Sequence, residues 1–251
     1  MGTAAAQSLH AEWLVGLHHV CFDKDGTLTD VHRYWWHTSL IRAQRLLERW
    51  HLASPHLHGL LLAMGVDPAT QRIVPGGPIG YQPRPVIIHA VVHYLAASGV
   101  TTLAVEIDEV FRQVDAYQQR TNDYNIQVLP GVEACFEMLT RRGIAISMYT
   151  SDRKEHAMKI LEGAGLMPFV SAVVGGGCMA HPKPHPEGFL LACQRVGSSP
   201  AHSAYVGDTI DDLKMGRAGG AQKVIGVGTG LGTVEELGAH TEWVWTTLSD
   251  S

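Results

Sequence analysis

Hydrophobic positions recur at helical spacing through one long segment of the chain, from residue 31 to about residue 129. In its first part, Trp36, Leu40, Ala43, Leu47 and Trp50 follow one another every three or four residues, which predicts an amphipathic helix. The same periodicity predicts three further helices and no clear strand in this segment. The predicted helices span residues 32–50, 57–64, 86–97 and 106–120.

On either side of this segment, short apolar runs alternate with helical patterns. The first run, Leu17 to Phe22, predicts a short buried strand. The later predicted strands span residues 144–149, 169–174, 204–206, 223–227 and 243–245. The predicted helices between them span residues 130–142, 155–163, 186–196 and 212–219, with a helical turn at 235–237. Such alternation implies right-handed crossovers and a mostly parallel sheet, so the predicted fold class is α/β.

Composition narrows the class of protein. Of 251 residues, 45% are hydrophobic and 17% charged, as is usual for a packed globular chain, and the net charge is −5. This acidic balance argues against a nucleic-acid or membrane-surface partner, and no apolar run is long enough to span a bilayer. Residues 1–11 lack the pattern of a secretion signal, and the four cysteines form no Cys-x-x-Cys pair. We therefore expect free thiols and a cytoplasmic location.

Two carboxylates follow the first predicted strand on alternate residues, Asp23 and Asp25, and Gly26 breaks the strand after them. In an extended segment, residues two apart point to the same side. Two like charges in one small space favour a bound cation, and the carboxyl end of a central strand is where open α/β sheets bind ligands.

Three more polar clusters follow later predicted strands. Thr150 and Ser151 precede a helix and could hold phosphate oxygens, although a plain helix cap by Ser151 or Asp152 is the alternative. Lys183 lies among three prolines, either as a fixed charge for phosphate or as a surface lysine in a stiff loop. The last cluster contains Asp208, Asp211 and Asp212, of which the last two could simply favour a helix N-terminus.

In this order, the four clusters resemble motifs I to IV of the haloacid dehalogenase-like (HAD) superfamily, in its phosphoglycolate phosphatase-like subgroup. The matching residues lie within 17–30 and 131–245. The resemblance implies a Rossmann-like parallel-sheet core formed by residues 1–30 and 130–251, with an inserted all-helical cap domain at 31–129.

The resemblance also implies a reaction: Mg²⁺-dependent hydrolysis of a small phosphate monoester. Asp23 would attack phosphorus to form an aspartyl phosphate, and Asp25 would act as general acid and base. Mg²⁺ would bind Asp23, the backbone carbonyl of Asp25 and Asp208.

The remaining motif residues would support this reaction. Thr150, Ser151 and Lys183 would hold the phosphate oxygens, and Asp212 would orient the metal ligands or Lys183. Asp211 could compete with Asp212 for that position. The expected partner is a small phosphorylated metabolite, and the sequence does not predict whether the chain is a monomer or a dimer.

Other activities on this scaffold can be weighed from single positions. Dehalogenases lack the second carboxylate, which is Asp25 here. Phosphonate-cleaving members use a cap lysine, but no lysine lies between Lys24 and Lys154. A phosphomutase of the β-phosphoglucomutase type is the main alternative, although Trp35 lies where mutases carry a hinge histidine. A non-catalytic relative would have lost motif residues, and none is lost.

Substrate specificity would come from the cap. Arg33, Arg72 and Arg84 could bind a second anionic group, although solvated or packed arginines are the alternative. The Trp35–Trp36 pair is expected to pack rather than stack on a ligand. None of the fifteen histidines lies in His-x-x-x-His on a clear helix beside acids, so we expect them to be structural or exposed. The glycine-rich run 226–232 does not fit a nucleotide motif, and we expect a mobile loop near the site.

Overall fold

The computed structural model describes residues 12–251, apart from the Cys178 side chain, so the expectation for residues 1–11 lies outside the described residues. The strands are β1 (His19–Phe22), β2 (Val66–Asp67), β3 (Arg72–Ile73), β4 (Ala145–Tyr149), β5 (Ala172–Val174), β6 (Ser203–Gly207), β7 (Lys223–Val227) and β8 (Trp243–Trp245). The α-helices are α1 (Val31–Arg49), α2 (His56–Met64), α3 (Arg84–Ala97), α4 (Ala104–Thr121), α5 (Val132–Arg141), α6 (Lys154–Gly163), α7 (Glu187–Val196), α8 (Ile210–Ala218) and α9 (Val234–Gly238). Within this described range, no helix is both long and apolar enough to cross a bilayer.

The chain forms two compact units, one made of residues up to Asp30 together with Gln127–Ser251, the other of Val31–Ile126. The first unit contains a six-stranded sheet in the order β5-β4-β1-β6-β7-β8, and every neighbouring pair is parallel. The predicted parallel α/β fold is therefore confirmed. From β1, the strands β4 and β5 follow on one side of the sheet and β6, β7 and β8 on the other. The strand order therefore reverses between β1 and β6. Such sheets bind ligands at the carboxyl ends of the strands at this point.

Both faces of this sheet are buried. Alternate residues of each strand point to opposite faces, so Val20 and Phe22 of β1 join one core cluster while Cys21 joins the other. Helix α5 covers the first face, with Phe136 against Phe22, and helix α7 covers the second through Phe189. This two-sided burial explains why the strands appear in the sequence as continuous apolar runs.

Three buried polar side chains bond one another in the middle of this sheet. His19 on β1 has no solvent exposure, and its two ring nitrogens bond hydroxyls on both neighbouring strands. Nδ1 lies 3.0 Å from Ser203 Oγ on β6, and Nε2 lies 2.7 Å from Ser147 Oγ on β4. Burial lowers the pKa of His19 to about 4, so the imidazole is neutral at physiological pH.

The predicted strand at 169–174 is wrong in its first half. Residues Met167–Phe169 form a short 3-10 helix, and the strand begins only at Ala172. Pro168 occupies the first turn of that 3-10 helix, where its fixed φ angle and missing N–H are tolerated. An apolar run alone did not distinguish the two conformations.

The second unit is built on helices α1 to α4, with bounds within two residues of those predicted. It also contains a short antiparallel pair, in which Val66 faces Ile73 and Asp67 faces Arg72. The sequence predicts no strand here, because two residues are too few to show an alternating pattern. Gly65 ends α2 in the left-handed region at φ 93°, which glycine adopts readily.

Arginine and aspartate side chains join three helices of this second unit. Arg84 donates from Nε to Asp108 Oδ1 at 2.8 Å and from Nη1 to Asp115 Oδ2 at 2.6 Å. Arg42 bonds the other Asp115 oxygen at 2.9 Å, and its guanidinium lies 4.3 Å from the centroid of the Phe111 ring. Arg84 is thus bound within its own unit, which corresponds to the structural alternative weighed for this residue rather than to a free anion-binding fork.

Candidate active site

Four of the sequence-predicted residues meet at the carboxyl ends of β1 and β6. Lys183 Nζ contacts Asp23 Oδ1 and lies 2.7 Å from Asp212 Oδ1. Asp23, Asp208 and Asp212 each offer a carboxylate oxygen within 4.8 Å of the others. All three carboxylates are buried, and the Lys183 side chain is only 12% exposed, so the alternative of a surface lysine is wrong.

Sheet register brings these residues together. Phe22 of β1 pairs with Val206 of β6, and the Asp23 N–H donates to the Val206 carbonyl at 2.8 Å. Asp23 and Asp208 therefore leave the sheet side by side, one residue beyond β1 and β6 respectively. Two carboxylates that are distant in sequence are thus placed close together by the pairing of β1 with β6.

Asp212 is fixed by the start of α8. Thr209 caps this helix by accepting from the Asp212 N–H at 3.2 Å, and its hydroxyl donates to Asp212 Oδ2 at 2.6 Å. The other oxygen, Oδ1, receives Tyr205 Oη at 3.1 Å as well as Lys183. Asp211 is exposed, so its predicted competition for this position is not seen.

The cluster is short of positive charge. Burial, together with the charges of Asp212 and Asp25, raises the pKa of Asp23 to about 7, although Lys183 opposes the shift. Burial and the neighbouring Asp23 also raise the pKa of Asp208 well above its ordinary value. Burial alone would lower the pKa of Lys183, but the carboxylates of Asp212 and Asp23 raise it overall. Three converging carboxylates with one lysine form an oxygen-rich donor set that fits Mg²⁺.

Asp25 contacts Lys24, a residue with no role predicted from the sequence. The buried Lys24 places Nζ 2.5 Å from Asp25 Oδ1 and 3.6 Å from Asp152 Oδ2. Thr29 Oγ1 also donates to Asp25 Oδ1, at 3.2 Å. Lys24 thereby joins the turn after β1 to the loop after β4. Its position between two aspartates was the only available signal, since Asp152 is distant in sequence.

Thr150 and Ser151 follow β4, the neighbour of β1 in the sheet. Met148 of β4 pairs with Phe22, so Thr150 lies two residues further, on the β4 side of the acidic turn. Thr150 is buried and its Oγ1 accepts from the Asp152 N–H at 3.1 Å, while Ser151 is exposed. Helix α6 begins after Arg153 with no side-chain cap, so the alternative of a cap by Ser151 or Asp152 is wrong.

The glycine-rich loop after β7 lies against Asp208, and its predicted proximity to the site is confirmed. The Leu231 N–H donates to Asp208 Oδ2 at 2.8 Å, and Thr229 Oγ1 donates to the Gly26 carbonyl at 2.6 Å. A Cβ atom on Gly230 would lie 1.9 Å from Asp208 Oδ2, and one on Gly26 would lie 2.3 Å from it. Glycine is therefore required here for close approach of the backbone to a carboxylate.

Comparison with known proteins agrees with this architecture. The family model of haloacid dehalogenase-like hydrolases matches residues 17–220. A probable phosphatase, IndB, of Dickeya dadantii is 37% identical over 145 residues, covering 56% of this chain and 63% of that protein. A phosphoglycolate phosphatase of Pectobacterium atrosepticum is 24% identical over 127 residues, covering 51% and 54%. These matches thus span less than two thirds of either relative.

Solved structures resemble nearly the whole chain. A predicted phosphoglycolate phosphatase from Haemophilus somnus superposes with a TM-score of 0.71 at 21% identity, covering 94% of this chain and 97% of the other. A putative β-phosphoglucomutase from Thermotoga maritima gives a TM-score of 0.67 at 18% identity, covering 93% and 96%. At these identities the likeness establishes the fold.

Proposed function

This chain belongs to the haloacid dehalogenase-like hydrolase family, and we propose that it is a Mg²⁺-dependent phosphatase acting on a small phosphate monoester. The observation that carries the proposal is the buried contact of Asp23 with Lys183, beside Asp208 and Asp212. It combines a carboxylate nucleophile, a fixed cation and an oxygen-rich metal site in one place.

In the first half of the proposed reaction, an oxygen of Asp23 attacks phosphorus and the ester bond breaks. The leaving alkoxide takes a proton from Asp25, which Lys24 and Thr29 hold in place. In the second half, Asp25 removes a proton from water, and the water oxygen attacks the phosphorus of the aspartyl phosphate. Inorganic phosphate leaves and the Asp23 carboxylate is restored.

Asp23, Asp208 and the backbone carbonyl of Asp25 are the proposed ligands of Mg²⁺. When bound, the ion neutralises the repulsion between the Asp23 carboxylate and an anionic phosphate. Asp212 then has a supporting role, since it holds Lys183 through one oxygen and the start of α8 through the other. Because the charge of Lys183 is fixed before the substrate arrives, it can stabilise charge on the transferring phosphoryl group without reorganisation.

Thr150 and Ser151 are the proposed partners of Lys183 in holding the phosphate oxygens. Thr150 follows β4 directly beside β1, and Ser151 is exposed next to it. An exposed hydroxyl beside a buried one suits a site that substrate enters from solvent.

We also propose that the helical unit, Val31–Ile126, acts as the cap that selects the substrate, for which the sequence predicted the bounds 31–129. Arg33 lies on its first helix and Arg72 on β3, and these two remain the candidates for binding a second anionic group. The expected substrate is a small phosphorylated metabolite, as the names of the phosphoglycolate phosphatase relatives suggest. Cys21, Cys135 and Cys193 are free and buried, which supports a cytoplasmic location.

The test is phosphate release from a panel of phosphorylated metabolites in the presence of Mg²⁺. We expect turnover that a chelator abolishes, that Asp23→Asn eliminates, and that the exposed control Asp211→Asn preserves. Phosphate release by Asp23→Asn at the wild-type rate would refute the assigned nucleophile. Transfer of the phosphoryl group to a second sugar position, instead of to water, would support the mutase alternative.

A further inference from the structure

A second cluster of potential metal ligands lies on the loop that carries Lys183. Among the residues that the structure describes, two groups of three ligand atoms lie close together, and one of them is the acidic site already described. The other consists of His181, His185 and Glu187. Both histidines are exposed, as expected from the sequence, and their His-x-x-x-His-x-Glu pattern lies among prolines.

The spacing of this second cluster suits a tetrahedral ion. Glu187 Oε2 lies 3.2 Å from His181 Nδ1 and 3.8 Å from His185 Nδ1. The two imidazole rings lie 4.4 Å apart between centroids. Ligands at about 2.0–2.1 Å from a tetrahedral Zn²⁺ are about 3.3 Å from one another, so only small movements are needed to close the site.

The carboxylate of Glu187 is already oriented for such a role. Its Oε1 accepts from the Ala180 N–H at 3.1 Å, and its Oε2 accepts from the His181 N–H at 3.2 Å. The bond from Ala180 is the main reason why the pKa of Glu187 lies below its ordinary value, so the carboxylate is ionised. Backbone donors that fix a carboxylate in this way are the usual support of a metal ligand.

Two weaker contacts would be given up when an ion binds. His181 Nδ1 shares a hydrogen bond with Glu187 Oε2, and His185 Nδ1 accepts from the Glu187 N–H at 3.4 Å. Both bonds are solvent-accessible, since His181 is 63% and His185 49% exposed. Water can therefore replace these bonds when they are lost.

We propose that His181, His185 and Glu187 form a binding site for a divalent transition-metal ion of the zinc class, separate from the acidic site. Two imidazoles with one carboxylate favour such ions, whereas Mg²⁺ prefers oxygen ligands alone. An ion at this site would link His181, before Lys183, to His185 and Glu187, after it. This proposal concerns ion binding and holds whether or not the chain is a phosphatase.

The test is titration of tag-free full-length protein with Co²⁺ in a large excess of Mg²⁺, which occupies the acidic site. We expect one Co²⁺ per chain, two paramagnetically shifted imidazole N–H signals, and displacement of Co²⁺ by Zn²⁺. The double variant His181→Asn/His185→Asn should lose both signals and bind Co²⁺ at least about tenfold more weakly.

A matched control comes from another pair of exposed histidines. His89 and His93 lie one turn apart on α3, and within the described part of the chain no third ligand joins them. His89→Asn/His93→Asn should leave Co²⁺ binding unchanged. The proposal is overturned if wild type shows no imidazole signals, if the 181/185 variant binds like wild type, or if the 89/93 variant loses binding. Should the 181/185 variant fail to give a native circular dichroism spectrum, the single variant His181→Asn, which should lose one signal, decides the question.

Discussion

The buried imidazole of His19 makes the stability of the sheet depend on pH. Its pKa is lowered from 6.5 to about 4 by burial between β4 and β6. The unfolded chain therefore binds a proton that the native chain does not, so the stability from this group is complete above the unfolded pKa of 6.5 and is lost as pH falls from there toward 4. The full shift corresponds to about 3 kcal/mol, of which about 2 kcal/mol is lost between about pH 7.5 and pH 5.

The measurement is urea unfolding of wild type and His19→Gln at several pH values, followed by circular dichroism. Glutamine keeps a donor and an acceptor for Ser147 and Ser203 but does not titrate. Asp23 and Asp208 act with the opposite sign, because their raised pKa values mean that the native chain holds the extra protons, so their contribution weakens stability as pH rises. Subtracting the free energy of unfolding of His19→Gln from that of wild type at each pH removes this contribution.

We expect wild type to lose about 2 kcal/mol more than His19→Gln between about pH 7.5 and pH 5. If the two free energies of unfolding change in parallel with pH, His19 is not a neutral buried imidazole and the reasoning is refuted.

Three further predictions concern the acidic site. Asp212→Asn should lower kcat/KM about a hundredfold, because it weakens the hold on the active-site lysine, whereas Asp211→Asn should have little effect; equal losses in a steady-state assay would contradict this assignment. Lys24→Met should lower kcat about tenfold or more while KM changes little, since Lys24 contacts Asp25, the proposed general acid; a change confined to KM would argue against it. Gly230→Ala should weaken Mg²⁺ binding by about 10–100-fold in calorimetry, because its Cβ would meet Asp208 Oδ2 at 1.9 Å. Unchanged affinity would show that the loop can move aside.

Most of the secondary structure could be predicted because its signals are local. In the helices of both units, apolar residues recur with a helical period that is visible in the sequence. The observed bounds of these helices agree with the predicted ones within two residues. The pair β2–β3 could not be predicted, since its two-residue strands are defined by a partner and not by a pattern. The 3-10 helix at Met167–Phe169 was hidden for a related reason, because apolar composition is compatible with either conformation.

The residues of the site also fall into two groups, those marked by a local sequence pattern and those defined only by contacts with distant segments. Strand ends mark Asp23 and Asp208 in the sequence, and parallel pairing makes them neighbours. The position of Lys183 followed only from resemblance, since nothing local shows that its loop reaches Asp23. Lys24 was missed because its second partner, Asp152, lies on another loop, and Tyr205 was missed because it is one residue of an apolar strand with no local mark of its bond to Asp212. The chemical roles of these residues stay predictions.

Gly26 and Gly230 both lie so close to Asp208 Oδ2 that neither leaves room for a Cβ atom. Neither supplies a group that could react, yet a library screened for turnover would rank both beside the aspartates. Exchanging either glycine for even the smallest chiral residue displaces Asp208 itself. A screen of this kind therefore does not distinguish variants that lose a reacting group from variants that displace one. A measurement of metal affinity on the same variants separates the two effects.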